Sequence, residues 1–122
     1  MGKKKAFTVR DLLQQIKERM AAPCLPLRDG MKTETERMDT VFHYRQFNIT
    51  GEVKMSPERT AVGTIYLDGS WMKPGAFSRA PILVIEFPAR DEQAFIDMGA
   101  LIGAIVHVGE SVLTDNSARI TY

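Results

Sequence analysis

The spacing of apolar residues changes period along the chain, and each change predicts an element. Val9, Leu12, Leu13, Ile16 and Met20 recur at three- and four-residue steps, the signature of one helical face. Thr8 stands where a side chain caps a helix. Asp11 complements the positive end of the helix dipole, and Phe7 is placed to pack on Leu12 as a hydrophobic staple. The pattern predicts a helix over residues 9–21, ended by Pro23 and Pro26, because the residue before each proline is pushed out of the α region. Residues 27–39 carry little apolar content and dense mixed charge. They read as a linker, with a helical turn around residues 34–38.

From Val41 the period becomes two. Phe47, Ile49, Val53 and Met55 share one phase, and Asn48, Thr50, Glu52 and Lys54 the other. Phe42 and Tyr44 fall out of phase with the first set, so a bulge near Arg45 and Gln46 would make residues 41–55 one long bent strand. "SPERT" supplies a turn and "AVGTIYLDG" the second strand of a hairpin. A glycine- and proline-containing loop follows. The apolar run "PILVIEF" then suits a central strand, stopped by Pro88. Asp91 and Glu92 open a second helix carried by Phe95, Met98 and Ile102, after which "AIVHVGESVL" and "ARITY" read as strands joined at "TDNS".

A long bent first strand, a meander, a helix between the third and fourth strands and a closing hairpin are the ingredients of a five-stranded OB-like barrel behind an N-terminal helix. The alternative is an open antiparallel sheet with two helices on one face. Either way the chain is α+β and mostly β. Residues 1–40 form a basic tail, amphipathic helix and charged linker, residues 41–122 form the barrel or sheet, and together they make one globular domain.

Composition narrows the classes. The 122 residues are 44% hydrophobic and 25% charged, in the range of folded domains. No run of about 18 apolar residues appears, and the basic start "MGKKK" is not followed by a secretory apolar segment, so no membrane partner and a cytoplasmic location are expected. The lone Cys24 cannot form an internal disulfide and reads as a structural thiol. The net charge of +1 is unevenly spread. Nine basic residues face six acidic ones over residues 1–40, six face four over residues 41–90, and one faces five over residues 91–122.

Catalytic chemistry finds little support. His43 and His107 stand at no ligand spacing with each other or with Cys24, so neither a metal nor another cofactor is expected. Glu86 interrupts an apolar run, where burial would raise its pKa, but a strand-end carboxylate paired with an arginine fits as well. No nucleophile elbow or phosphate loop occurs. The chain is expected not to be an enzyme.

The most specific signal is the loop "WMKPGAFSR", which holds the only tryptophan. Single-stranded nucleic acid is bound by aromatic faces interleaved with cations. Trp71 and Phe77 would serve as stacking platforms, Lys73 and Arg79 as phosphate contacts, with Tyr66, Arg59 and Lys54 extending the surface. The expected function is a small non-enzymatic domain, bacterial or phage, that binds single-stranded DNA or RNA through this loop. Tryptophan and arginine also anchor protein interfaces. The alternative is therefore a protein-interaction or assembly module of a phage or mobile-element complex, working with a protein partner or as a homo-oligomer.

Overall fold

The structure is a computed structural model that describes residues 6–20, 31–33, 38–41, 46–70, 77–88 and 92–120. Helix α1 (Val9–Met20) is followed by strands β1 (Met31–Thr33), β2 (Asn48–Met55), β3 (Thr60–Ser70) and β4 (Phe77–Pro88), then by helix α2 (Glu92–Asp115) and a 3-10 turn (Ser117–Arg119). The sheet is antiparallel and open, in the order β1-β4-β3-β2, with three long strands and a three-residue edge segment. Helix α2 packs across β2 and β3, and α1 packs on α2 from the same side. This is the open sheet with two helices. The five-stranded barrel does not form.

The reason lies in residues 104–113. Their branched side chains suggested a strand, yet they continue α2, which runs unbroken for 24 residues. Met98, Leu101, Ile102, Ile105, Gly109, Val112 and Leu113 are buried at helical spacing. Tertiary packing along this stripe outweighs the modest helix cost of branched residues. With those residues helical and Ser117–Arg119 in a 3-10 turn, the two strands needed to close a barrel are not formed among the described residues, and "TDNS" ends a helix instead of turning a hairpin. Helix α2 is long and apolar enough, by length and composition, to cross a membrane, although its sheet-facing side lies in the core.

The first helix starts as its sequence predicts. The Thr8 amide donates to the Asp11 carboxylate (3.1 Å) and the Asp11 amide donates to Thr8 Oγ1 (3.3 Å), a reciprocal capping box. Phe7 and Leu12 are both fully buried, as the staple requires. Residues 38–41 fold over this end. Val41 bridges Thr8, the Thr40 carbonyl accepts from the Val9 amide (3.3 Å), and Arg10 pairs with Asp39 at 2.8 Å. The Arg10 hydrogen bond, then its charge, holds the Asp39 carboxyl below the usual carboxylate range.

In the sheet, the strand expected from residue 41 is described only over Asn48–Met55, while the proposed bulge at Arg45 and the out-of-phase Phe42 and Tyr44 lie outside the described residues. The expected linker supplies β1, which pairs with β4 through Thr33 opposite Leu83. A bulge occurs in β4 instead, between the Tyr66–Pro81 and Ile65–Leu83 pairs. Ile82 and Leu83 are consequently both buried, which explains the unbroken apolar run. Pro81 sits beside the bulge, beyond the pairing of β1, where its missing N–H is tolerated.

Two glycines set the sheet-to-helix distance. A Cβ on Gly51 would lie 2.3 Å from Ile102 Cγ2, and one on Gly63 would lie 2.5 Å from Ile102 Cδ1 and 2.7 Å from Met98 Sδ. At the far end, buried Asn116 donates to Gln15 Oε1 (3.0 Å) and to the Val112 carbonyl (2.9 Å), while its Oδ1 accepts from Arg119 (2.9 Å). Arg119 also lies over the Phe7 ring at 5.3 Å. The C-terminal turn is thereby tied to the start of α1. Gly63→Val should lower stability by about 1–3 kcal/mol through overpacking against Ile102; urea unfolding measures it, and an unchanged midpoint would contradict the contact.

Candidate functional site

The sheet face away from the helices is uncovered by any described element. Alternation puts Ala61, Ile65 and Leu67 of β3 in the core, and Val62, Thr64, Tyr66 and Asp68 half-exposed on the other side. Register places Lys54 opposite Val62, Glu52 opposite Thr64, Thr50 opposite Tyr66, and Arg79 opposite Asp68. These side chains form one connected polar ladder across three strands. Lys54 Nζ lies 3.3 Å from Glu52 Oε2, and the same oxygen accepts from the Tyr66 hydroxyl at 3.2 Å. The Arg79 guanidinium stacks 3.9 Å above the Tyr66 ring, and its Nη2 donates to Thr50 Oγ1 (3.2 Å). Its Nε lies 3.4 Å from Asp68 Oδ1, near enough to pair in charge, while that buried oxygen accepts no hydrogen bond.

Of the residues expected to bind nucleic acid, Tyr66, Arg79 and Lys54 therefore come together. Arg59 does not join them. It occupies the turn after β2 with φ of 56°, held by the Ser56 carbonyl at 3.0 Å. Eight residue steps, roughly 26 Å, separate the Thr60 end of β3 from Asp68. The backbone of Phe77 pairs with Ser70 at the far end of the β3–β4 ladder. Trp71 and Lys73 lie outside the described residues, as do Cys24 and His43. The ladder is also charge-balanced, because Lys54 is matched by Glu52 and Arg79 by Asp68. Arg79 occupies the Tyr66 ring face that a base would use.

Among the described residues no cluster of His, Cys, Asp and Glu could hold a metal. Glu86 lies half-buried on the outer sheet face opposite Val62. His107, expected on a strand, is an exposed residue of α2.

That position belongs to a second surface, which sequence reasoning missed. On the side of α2 opposite the sheet, Ile96, Gly99, Ala100, Gly103, Ala104 and His107 are all exposed, Ile96 by 60%. Flanking them, Phe95 is 38% exposed. Between Asp97 and Glu110 the helix carries no charged residue. Helix α1 covers only the other end, where Arg19 meets Ser111 (3.2 Å) and Asp115 (2.8 Å) and Ile16 lies against Gly109. The signal was present as the Gly-Ala pairs at 99–100 and 103–104, four residues apart. It was obscured by ending the helix before Ala104.

Among the described residues, nothing packs where the glycines of this face lack a side chain. A Cβ on Gly99 or Gly103 would meet nothing within 4 Å, unlike one on Gly51, Gly63 or Gly109. Glycine inside a helix costs about 1 kcal/mol relative to alanine, and no contact among the described residues offsets that cost. No protein family, characterised protein or solved structure matches the chain. Gly99→Ala and Gly103→Ala should each raise the stability of the dilute protein by about 0.5–1 kcal/mol. Thermal unfolding at low concentration checks this, and destabilisation by either change would reveal an internal role for that glycine.

Proposed function

We propose that the chain is a non-enzymatic protein-interaction or assembly module, and that the exposed face of α2 is its docking surface. One observation carries this reading: three turns of helix are solvent-facing, uncharged and floored by glycines that the protomer's packing does not need. A helix face that buries its apolar side inward normally carries charge on its outer side. Small residues there allow another backbone to approach closely, and Ile96 and Phe95 supply apolar area at the rim. The cytoplasm is the proposed setting.

Single-stranded nucleic acid remains the second proposal, favoured by Lys54, Tyr66 and Arg79 gathered on a sheet face that no described element covers. That reading depends on Trp71 and Lys73 to supply the stacking and positive charge that the balanced ladder lacks.

A photo-cross-linking residue at Ala104 tests the first reading in cells that make the protein, with Thr64 on the outer sheet as the control position. A discrete protein adduct is expected from position 104 and not from position 64. Absence of any adduct at 104 would overturn it. Titration with a single-stranded oligonucleotide at low and moderate salt tests the second reading through Trp71 fluorescence, where salt-sensitive quenching is the expected result.

A further inference from the structure

We propose that strand β2 pairs with β2 of a second copy of this chain, antiparallel about a two-fold axis at Val53, joining two sheets into one. This surface is the edge of the sheet and does not depend on the α2 face. The two edges of the sheet differ. On one side β1 is a blunted edge of three residues, Met31–Thr33. On the other, β2 runs for eight residues, Asn48–Met55, in unbroken register with β3, and no described element pairs with its outer side. Its inward phase is Ile49, Gly51, Val53 and Met55, and the strand holds no proline. Inward charges and prolines are devices by which natural edges refuse a further strand, and both are missing from β2.

The hairpin assigns the backbone groups of that edge. The Ser56 amide donates to the Thr60 carbonyl (2.9 Å) and the Ser56 carbonyl accepts from the Arg59 amide (3.0 Å), so Ser56 is a hydrogen-bonded position of the ladder. By alternation Thr50, Glu52 and Lys54 turn their N–H and C=O groups to β3. Gly51, Val53 and Met55 therefore turn theirs outward, in a row that an added strand satisfies. With the axis at Val53, that residue exchanges hydrogen bonds with its own copy, and Gly51 does so with Met55 of the second copy.

The side chains select a second copy as the occupant. Pairing residues of one phase keeps both helix layers on the same side of the joined sheet. The axis at Val53 then sets Glu52 opposite Lys54 twice, on the outer face. An axis at Glu52 or at Lys54 would set like charges together, and one at Gly51 or Thr50 would form no ion pair. Lys54 Nζ already lies 3.3 Å from Glu52 Oε2 of its own strand, so the four charges alternate around a square with like charges only on its diagonals. Size is complementary as well. Met55 is 46% exposed, and the same register sets it beside Gly51 of the second copy, where a Cβ would lie 3.0 Å from Val106 Cγ2. Helix α2 lies over β2 and β3. Two strand spacings, about 10 Å, then separate it from its copy, the ordinary distance between packed helices. Because each copy uses its β2 edge at the axis, the joined sheet ends in β1 on both sides and closes as a dimer.

Sedimentation of the full chain should show a reversible dimer. Val53→Pro removes an N–H that points away from β3, and it should leave only monomer with the circular dichroism unchanged. Glu52→Lys and Lys54→Glu should each weaken the dimer about ten-fold, since each sets like charges together twice, and the double exchange should restore it. With Cys24→Ser as background, Val53→Cys should oxidise to a covalent dimer. Thr50→Cys should not, because position 50 is about 20 Å from its copy in this register. A chain that stays monomeric to about 0.5 mM, where even a weak dimer is populated, would overturn the second copy as occupant. A dimer that survives Val53→Pro, ignores both single charge exchanges or cross-links through Thr50→Cys would overturn the pairing at this edge. None of these substitutions lies on α2, so the Ala104 adduct reports on that face separately.

Discussion

The seat of Ile102 on the sheet is the contact on which the rest of the architecture depends. Its side chain enters a hollow left by Gly51 of β2 and Gly63 of β3, closer than any Cβ would permit. With Met98 beside it and Ile105 one turn on, this contact fixes both the height and the rotation of α2 over the strands. Rotation is the consequential quantity. Once Ile102 points into the sheet, Ile96, Ala100, Gly103 and His107 have to point away from it.

Glycine consequently has two opposite meanings in one layer of the molecule. At 51, 63 and 109 it admits a neighbouring isoleucine from within the protomer, and any larger residue would compete with that isoleucine for space. At 99 and 103 it admits nothing from within. Helix propensity alone would favour alanine at both. The difference between these sets, invisible in composition, is what separates the inner face of α2 from a surface fit for a neighbour.

The outer face of the sheet presents a different balance. Lys54, Glu52, Tyr66, Arg79 and Thr50 engage one another across three strands, and Asp68 is paired in charge with Arg79. Exposed ion pairs of this sort contribute little individually, but a linked set holds side chains in register on an otherwise open face. Of the two cations that the sequence suggested for phosphate contacts, Arg79 is already engaged here with the Asp68 carboxylate. Any affinity of this face for an anion would have to overcome those pairs or draw on residues beyond them.

Local chemistry by itself determined the first helix, with Thr8 and Asp11 capping it and Phe7 and Leu12 both buried at staple positions, because these interactions span only a few residues. It determined the hairpin at residues 56–60 and the end of β4 at Pro88 for the same reason, and alternation placed Lys54 on the opposite side of β2 from Val53. Tertiary structure alone decided that residues 104–113 are helical, since their branched side chains suit either a strand or a buried helix, and only a sheet floored by Gly51 and Gly63 offers the surface that makes helix the better state. It also decided that Ile82 and Leu83 are both inward, through a bulge that depends on pairing with β3. Finally, it brought Arg79 onto Tyr66 and left Gly99 and Gly103 uncovered, because which side of an element faces solvent is settled by what packs on its other side.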